Sequence, residues 1–271
     1  MSLPSPYVQA YRKRYLPSLT LEQIAALPDK AWAPVIVVLG AIEQHGPQLP
    51  VAVDSFLGEA WVTLALERLP AGVSCYIAPP ITIGKSNEHS GYPGTLAISK
   101  KTLRRLMLAI AEQVHAWGFR SLYVLHTHGG NFAPAGYTLR EIEAKWGLHT
   151  QTLSVEKSTM VVSPQEKAFG YHANEAETAL LLALKPQYVR ADLSVCDYAG
   201  KITDPGELRA ERAPATFSWV SQDLSKSGVM GDATAGTAEK GHAWLLGDGQ
   251  GVADAIAKAY HERKRLHDAA G

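Results

Sequence analysis

The chain has 271 residues, of which 46% are hydrophobic and 19% are charged, and its formal net charge is zero. This composition is typical of a globular protein and excludes a disordered one. The charge balance indicates neither a nucleic acid nor an anionic membrane as a partner, and apolar runs are too short to form a transmembrane helix. The N-terminal stretch carries charge and proline where a signal peptide would be apolar. Because Cys75 and Cys196 are widely separated, we expect a cytoplasmic protein with free thiols.

The first part of the chain alternates between strand and helix patterns. A β-branched run predicts a strand over 35–39 that is covered on both faces. Apolar residues at helical spacing predict a helix over 55–69, which ends before Pro70. A second strand is predicted over 73–80, followed by a loop rich in glycine and proline over 83–95.

The clearest amphipathic pattern predicts a helix over 100–117. Ser99 is a suitable N-cap for this helix, and Gly118 is a suitable C-terminal stop. A third strand, SLYVLH, runs into the loop HTHGGN. Asn131 is a candidate cap for the next helix, which extends to about Trp146.

The remaining patterns complete a layered fold. They predict a strand over 149–155 and a helix over 174–186, whereas the stretch 196–240 is typical of loops and allows a hairpin. The tail over 238–267 is mostly helical. Strand–helix alternation with short connections predicts an α/β fold on a largely parallel sheet, and the lack of a linker predicts one domain over 1–271.

Three successive strands deliver polar side chains to one edge of the predicted sheet. These residues are Glu43 and His45 after the first strand, Glu88 and His89 after the second, and His126 and His128 after the third. Ligands of open α/β sheets bind beyond the carboxyl ends of the strands. The shared location indicates a functional site more strongly than any one motif.

The stretch AIEQHGPQLPVAVD contains three candidate metal ligands. Glu43 and His45 are two residues apart in an extended segment, so their side chains can point the same way, and Asp54 follows at the start of a helix. Carboxylate and imidazole together suit Zn²⁺, Mn²⁺ or Fe²⁺ better than Ca²⁺. Singly, Asp54 is typical of a helix N-cap and Glu43 of a solvated loop acid; together, behind a buried strand, the three predict a metal site.

Two further motifs add candidates around this site. His128 can approach a metal closely because Gly129 and Gly130 remove side-chain bulk. His126 either supports a ligand from behind or is a packed histidine. NEHSGYPGT forms either a structural turn or a set of substrate contacts. The contact candidates are Ser86, Glu88, His89 and Tyr92.

The stretch HANEAETALLLALKP contributes His172, Glu175 and Glu177. Near the start of an apolar helix, Glu177 could be no more than a favourable N-terminal charge. A metal-dependent hydrolase, however, needs a carboxylate beside the attacking water, and His172 could then protonate the leaving nitrogen.

Several enzyme classes are excluded by missing motifs. The chain has no G-x-S-x-G elbow, no P-loop, no G-x-G-x-x-G after a strand and no H-E-x-x-H helix. Neither cysteine has an obvious histidine partner, which gives thiol catalysis little support.

Five motifs resemble those of the creatininase family (creatinine amidohydrolase-like metallohydrolases) and occur in the family's order, from about residue 35 to 241. They are GAIEQHGPQLPVAVD, SNEHSGYPGT, HTHGGN, HANEAET and GVMGDATAGTAEKG. The resemblance implies a three-layer α/β/α fold with a mostly parallel central sheet. It also implies two divalent metal ions, Zn²⁺ or Mn²⁺ with Fe²⁺ allowed, hydrolysis of a C–N bond in a small molecule, and a homo-oligomer, commonly a hexamer.

The resemblance also implies individual roles. The metal ligands it implies are Glu43, His45, Asp54 and His128. Asp54 would bridge the ions, with Glu43 and His128 on one and His45 on the other. Glu177 would lie against the metals or the attacking water, and His172 would transfer a proton.

Two departures weigh against creatinine as the substrate. Creatininases proper have a metal-binding glutamate where this chain has Gly130, and Glu177 is the candidate replacement. They also have tryptophans that close over creatinine, whereas this chain has only Trp146 between His128 and His172. The HGGN version is similar to family members acting on other amides, including formamide-type pyrimidine intermediates and peptide-like cofactor precursors. The alternatives are a lactone or other C–O hydrolase on the same centre and a catalytically silent metal-binding homologue.

Overall fold

The protein is built around a four-stranded sheet in which the strand order is β2-β1-β3-β4 and all neighbours are parallel. The computed structural model describes residues 9–153, 159–198, 200, 204 and 219–270. The strands are β1 (Val35–Leu39), β2 (Tyr76–Ile77), β3 (Ser121–His126) and β4 (His149–Leu153). The last pair between β1 and β3 joins Leu39 to His126, so these two strands end side by side.

Helices surround this sheet in the described part of the chain. They are α1 (Gln9–Arg12), α2 (Leu21–Ala25), α3 (Val53–Arg68), α4 (Lys100–Ala116), α5 (Phe132–Trp146), α6 (Pro164–Phe169), α7 (Glu175–Leu184), α8 (Ser221–Leu224) and α9 (Ala238–Ala270). Two short strands, β5 (Cys196–Asp197) and β6 (Gly231–Asp232), form a separate antiparallel pair.

The two faces of the sheet bury different helices. On one face, Val37 and Val124 pack in one cluster with α4 and α5. On the other face, Ile36 and Tyr123 pack with α3 and α9. Alternate residues of buried parallel strands point to opposite faces, which explains the continuous β-branched run of β1. The expected three-layer α/β/α fold with a mostly parallel sheet is confirmed.

A third hydrophobic cluster joins α3, α7 and α9. Leu57 of α3, Leu180 of α7 and Trp244 of α9 are members, and all three are buried. This packing sets the position of the start of α7 relative to the start of α3. Those two helix starts carry Glu177 and Asp54.

Several local predictions agree with the structure. The strand over 35–39 is confirmed, and Ser99 Oγ accepts a hydrogen bond from the backbone N–H of Thr102, as an N-cap does. Gly118 has φ of 96°, a left-handed conformation that favours glycine. Within 196–240, β5 and β6 pair antiparallel, but residues 198–230, which include α8, separate them, so this pair is a long-range contact and not the hairpin that the sequence allowed.

Other boundaries differ for identifiable reasons. The strand predicted over 73–80 is only Tyr76–Ile77, because two prolines follow and cannot donate to a ladder. The α3 helix begins at Val53, two residues earlier than predicted. The fourth strand is observed to Leu153, and the rest of its predicted span lies outside the described residues.

None of the helices within the described ranges is both long and apolar enough to span a membrane.

The two cysteines should differ sharply in reactivity. Cys75 is buried, and its burial raises the pKa of the thiol to about 12. Cys196 is exposed, but partial desolvation and the nearby carboxylates of Asp232, Glu166 and Asp197 raise its pKa as well. Because the thiolate is the nucleophile, we expect a chromogenic disulfide to label about one thiol per native chain, slowly at pH 7 and faster as the pH rises.

The matching variant is Cys196→Ser, whose native labelling should fall close to zero. Denaturant should expose Cys75 in both proteins. Rapid labelling of two thiols in the native wild type would contradict the buried position of Cys75.

Candidate metal centre

Asn131 joins the carboxyl ends of the sheet. Its side-chain Nδ2 donates to the carbonyl of Gly40, and its Oδ1 accepts from the backbone N–H of Lys85, both at 2.9 Å. Gly40 follows β1, Lys85 lies in the loop after β2, and Asn131 follows β3. Asn131 occupies the N-cap position of α5 as predicted, but its side chain makes no cap hydrogen bond because these two bonds occupy the amide.

Five of the candidate ligands meet beyond this edge of the sheet. His128 Nδ1 lies 3.2 Å from Glu43 Oε2 and 3.3 Å from Asp54 Oδ2. His45 Nε2 lies 3.6 Å from Asp54 Oδ1 and 3.7 Å from Glu177 Oε1. Asp54 therefore turns one oxygen to each of two groups, one with Glu43 and His128 and the other with His45 and Glu177.

Asp54 reaches this position because the loop before α3 folds back on itself. The backbone N–H of Glu43 donates to the carbonyl of Val51 at 2.8 Å, which brings the start of α3 beside the end of β1. Gly58 lets the helix lie close to the sheet, since a Cβ there would collide with Val38. The N-cap position of α3 is Ala52, so Asp54 is not the N-cap and its carboxylate is available to the cluster.

A strained residue places His172 and Glu177 together. Ala173 has φ of 50°, a left-handed conformation that is unfavourable for a residue with a Cβ. Its backbone N–H donates to Glu177 Oε2 at 2.5 Å, and its carbonyl accepts from Gln48 Nε2 at 2.9 Å. Asn174 caps α7 by accepting from the backbone N–H of Glu177. These bonds hold the chain in the strained turn.

The imidazole of His172 lies between two others. Its ring centroid is 4.3 Å from that of His45 and 4.2 Å from that of His89. Its Nε2 lies 2.6 Å from the carbonyl oxygen of Gln44, and because a carbonyl can only accept, Nε2 carries the proton. In the neutral ring, Nδ1 is therefore unprotonated, and it lies 3.7 Å from Glu43 Oε1.

The electrostatics of the cluster reflect crowded buried carboxylates. Burial lowers the pKa of His45, but the carboxylates of Glu177 and Asp54 outweigh it and raise the pKa well above its usual value. His128 behaves likewise, with Glu43 and Asp54 as the main partners that raise its pKa. Burial raises the pKa of Asp54, but the neighbouring imidazoles of His128 and His45 outweigh this and lower it.

The donor set fits divalent metal ions. His45 Nε2 and Asp54 Oδ2 are fully buried and make no hydrogen bond, although burial of unpaired polar atoms is unfavourable. Both atoms point into the cluster, where carboxylate and imidazole atoms lie close enough to bind one ion together. Among the described residues, three such groups are present: Glu43 with His45 and His172, Glu43 with Asp54 and His128, and His45 with Asp54 and Glu177.

A pocket of about 210 Å³ lies over the cluster. Its lining beyond the cluster includes Glu88, His89, Phe132, Tyr171 and Trp219. Tyr171 and Trp219, whose rings pack edge to face at 5.9 Å, were missed by the sequence analysis. Trp219 comes from a stretch without helical or strand periodicity, so its only signal was a large aromatic residue in a polar region.

Three other residues singled out from the sequence do not line the pocket. Ser86 is buried behind the cluster, where its hydroxyl donates to Glu43 Oε2, and it does not line the pocket. Tyr92 also lies outside the lining, because its hydroxyl donates to the carbonyl of Ser225. Glu175 points away from the cluster and pairs with Lys240 Nζ at 2.6 Å.

His126 is a packed histidine. Its ring stacks on Phe132 at 4.2 Å, and it belongs to none of the three groups that could bind an ion. Burial and the neighbouring His128 lower its pKa to about 4, so the ring is neutral at physiological pH.

Gln44 connects several site residues and was also missed. Its side-chain Nε2 donates to His89 Nδ1 at 3.0 Å and to the carbonyl of Gly228 at 3.1 Å, while its backbone carbonyl accepts from His172 Nε2. Since His89 Nδ1 accepts, the proton of this ring is on Nε2, 3.7 Å from Glu43 Oε1. A neutral glutamine carries no chemical signal of such a role in a sequence.

The family model for creatininase, described as creatinine amidohydrolase, matches residues 17–256. The chain belongs to the creatininase family of metal-dependent amidohydrolases. It is 31% identical over 239 residues to a mycofactocin precursor peptide peptidase of Mycolicibacterium smegmatis, covering 86% of this chain and 87% of that protein. It is 27% identical over 248 residues to creatinine amidohydrolase of Pseudomonas putida, covering 83% and 89% respectively.

Solved creatininase structures share the fold. A manganese creatininase and a mutant creatininase of Zn-Zn type superpose with TM-scores of 0.71 and 0.72. Both are 23% identical in sequence, and the match covers 91% of this chain and 98% of theirs.

Glu166 should be essential to the stability of the loop that carries His172. This buried carboxylate accepts from the backbone N–H groups of Glu175 and Asp232, both at 3.0 Å, and from the hydroxyl of Tyr198 at 2.8 Å. Glu166→Ala would leave these donors unpaired at about 1–3 kcal/mol each. We expect the free energy of unfolding in urea to fall by about 3 kcal/mol or more.

The control is Gln165→Ala, one residue earlier on the same helix and exposed. Its free energy of unfolding should stay within about 0.5 kcal/mol of the wild type. A Glu166→Ala protein as stable as this control would show that the three hydrogen bonds contribute nothing net.

Proposed function

We propose that this protein hydrolyses a C–N bond of an amide or peptide substrate at a centre of two divalent metal ions. Glu43, Asp54 and His128 would hold one ion, and His45, Asp54 and Glu177 the other. The observation that carries this proposal is that Asp54 turns its two oxygens toward two different imidazoles, 3.3 and 3.6 Å away. A carboxylate shared in this way is suited to bridging two ions.

The remaining residues would bind the substrate and move a proton. When bound, the ions would make a water molecule acidic enough to react near neutral pH and would polarise the substrate carbonyl. His89, Tyr171 and Trp219 line the pocket and would orient the amide. His172 Nδ1, unprotonated while Nε2 donates to Gln44, would accept a proton and pass it to the departing nitrogen.

A nitrogen leaving group in a peptide-like substrate is favoured over the alternatives. The two relatives are named as a peptidase and an amidohydrolase, which supports C–N cleavage over lactone hydrolysis. Gly130, where the family resemblance implies a metal-binding glutamate in creatininases proper, weighs against creatinine as the substrate. The presence of His172 and Glu177 beside the cluster favours an active enzyme over a catalytically silent homologue.

Asp54→Asn should remove metal and activity together. The variant keeps the shape of the side chain but loses the charge shared by both ions. We expect about two ions per wild-type chain and less than one per Asp54→Asn chain, measured by elemental analysis after purification without chelator. Turnover of formylated amines and short peptides should be lost in parallel.

Two further variants make this experiment specific. Glu177→Gln should retain about one ion, because it affects only the group that contains His45. Glu59→Gln, on the same helix as Asp54 but outside the cluster, should retain both. Two ions and full turnover in Asp54→Asn would refute the shared site.

His172→Gln should separate chemistry from metal binding. The variant removes the nitrogen assigned to proton transfer while the proposed ligands remain. We expect the metal content of the wild type and a kcat lower by about 10²- to 10⁴-fold on any amide that the wild type hydrolyses. Loss of one ion in this variant would instead make His172 a ligand, and unchanged kcat would remove it from the mechanism.

A further inference from the structure

Position 130 has no room for a side chain. A Cβ on Gly130 would lie 2.5 Å from His128 Nε2 and closer still to Glu88 Oε1 and the carbonyl of Lys85. A Cβ on the neighbouring Gly129 would meet no atom within 4 Å. The space beside Gly130 is therefore filled by an imidazole and a carboxylate that approach each other there.

The two nitrogens of His128 face different surroundings. Nδ1 faces the carboxylates of Glu43 and Asp54, at 3.2 and 3.3 Å. Nε2, on the opposite side of the ring, lies 3.1 Å from the carbonyl of Lys85 and 3.6 Å from Glu88 Oε1. With a metal ion held at Nδ1, the proton of the neutral ring would be on Nε2, which would donate it to the carbonyl of Lys85 beside Glu88.

Glu88 is itself held in place. Its second oxygen, Oε2, accepts from Lys85 Nζ at 3.2 Å, and its side chain is only 17% exposed. The 3₁₀ turn Asn87–His89 carries it. Glu88 is thus fixed between the ammonium of Lys85 and the imidazole of His128, with one oxygen toward each.

We propose that Glu88 is a positioning residue that acts through His128: it orients the imidazole and strengthens the hold of Glu43, Asp54 and His128 on their ion. The inference rests on the proposed two-metal centre and assigns Glu88 to the ligand side of the pocket rather than to the substrate. A carboxylate behind a metal-bound histidine fixes its tautomer and raises its basicity, and losing one typically weakens metal affinity by about 10- to 100-fold. Gly130 is required because any larger residue would displace this carboxylate.

The test is a titration of metal-free protein with Zn²⁺ against a chromophoric chelator, which reports metal affinity without any substrate. We expect two binding steps in the wild type. Glu88→Gln should weaken one step by about 10- to 100-fold and leave the other within about twofold. Gly130→Ala should reproduce this selective loss, whereas Gly129→Ala, the same substitution one residue away, should bind as the wild type does.

Melting curves of the metal-free proteins show whether the variants fold. If Glu88→Gln does not fold, Lys85→Met replaces it: this variant removes the ammonium that holds Glu88 but keeps the carbonyl, and the same step should weaken to a smaller extent.

Each of three other results of the Zn²⁺ titration would refute either the role of Glu88 or the metal centre itself. Unchanged Zn²⁺ binding in Glu88→Gln, with a raised KM, would make Glu88 a substrate contact and refute the inference alone. Equal weakening of both steps would indicate a general loss of structure and also refute it. Absence of Zn²⁺ binding in the wild type would refute the proposed metal centre itself, and the inference with it.

Discussion

The structure depends on one constraint: several carboxylates are buried together and must be compensated there. Glu43 and Asp54 are each only 2% exposed, and Glu177 completes the group from the start of α7. Among the described residues, the ion-pair partners of these three carboxylates are imidazoles. Buried charge is strongly unfavourable unless it is paired or binds a metal. The surrounding structure therefore has to hold the carboxylates close to the imidazoles. Two fully buried atoms without hydrogen bonds, His45 Nε2 and Asp54 Oδ2, indicate that protein groups alone do not complete this compensation.

The fold meets this constraint by rigid packing on one side and by neutral hydrogen-bonding groups on the other. The apolar cluster of α3, α7 and α9 sets the distance between the helix starts that carry Asp54 and Glu177. Asn131 holds the ends of β1 and β3 and the loop after β2 at one edge. Gln44 holds His89 and His172, so that each ring has a defined tautomer. Neutral amides can do this without adding charge to a site that already has an excess of acids.

Family membership and local geometry answer different questions about this protein. The family match establishes membership of the creatininase family of amidohydrolases, and the structural likeness to creatininases, at 23% identity, establishes the fold. The local geometry, in contrast, describes the space around Gly130 in this chain. Glu88 and His128 occupy the space that a longer side chain at that position would need, and Trp219 closes the pocket from a different part of the chain. Because a shared fold does not fix function, the side chains around the pocket are expected to affect which substrate is bound.

The sequence by itself determined the layered α/β fold, because the β-branched run of β1 and the amphipathic pattern of α4 are local signals. It also predicted that Glu43, His45 and His128 would converge, since parallel strands end at the same edge of a sheet. Tertiary structure alone decided whether a polar side chain on the same loop faces the pocket, as Glu88 does, or lies outside its lining, as Tyr92 does. It also decided that Gln44, Tyr171 and Trp219 belong to the site. Their positions depend on contacts between residues far apart in the chain, such as the hydrogen bond from Gln44 to Gly228. A local sequence pattern does not predict such contacts.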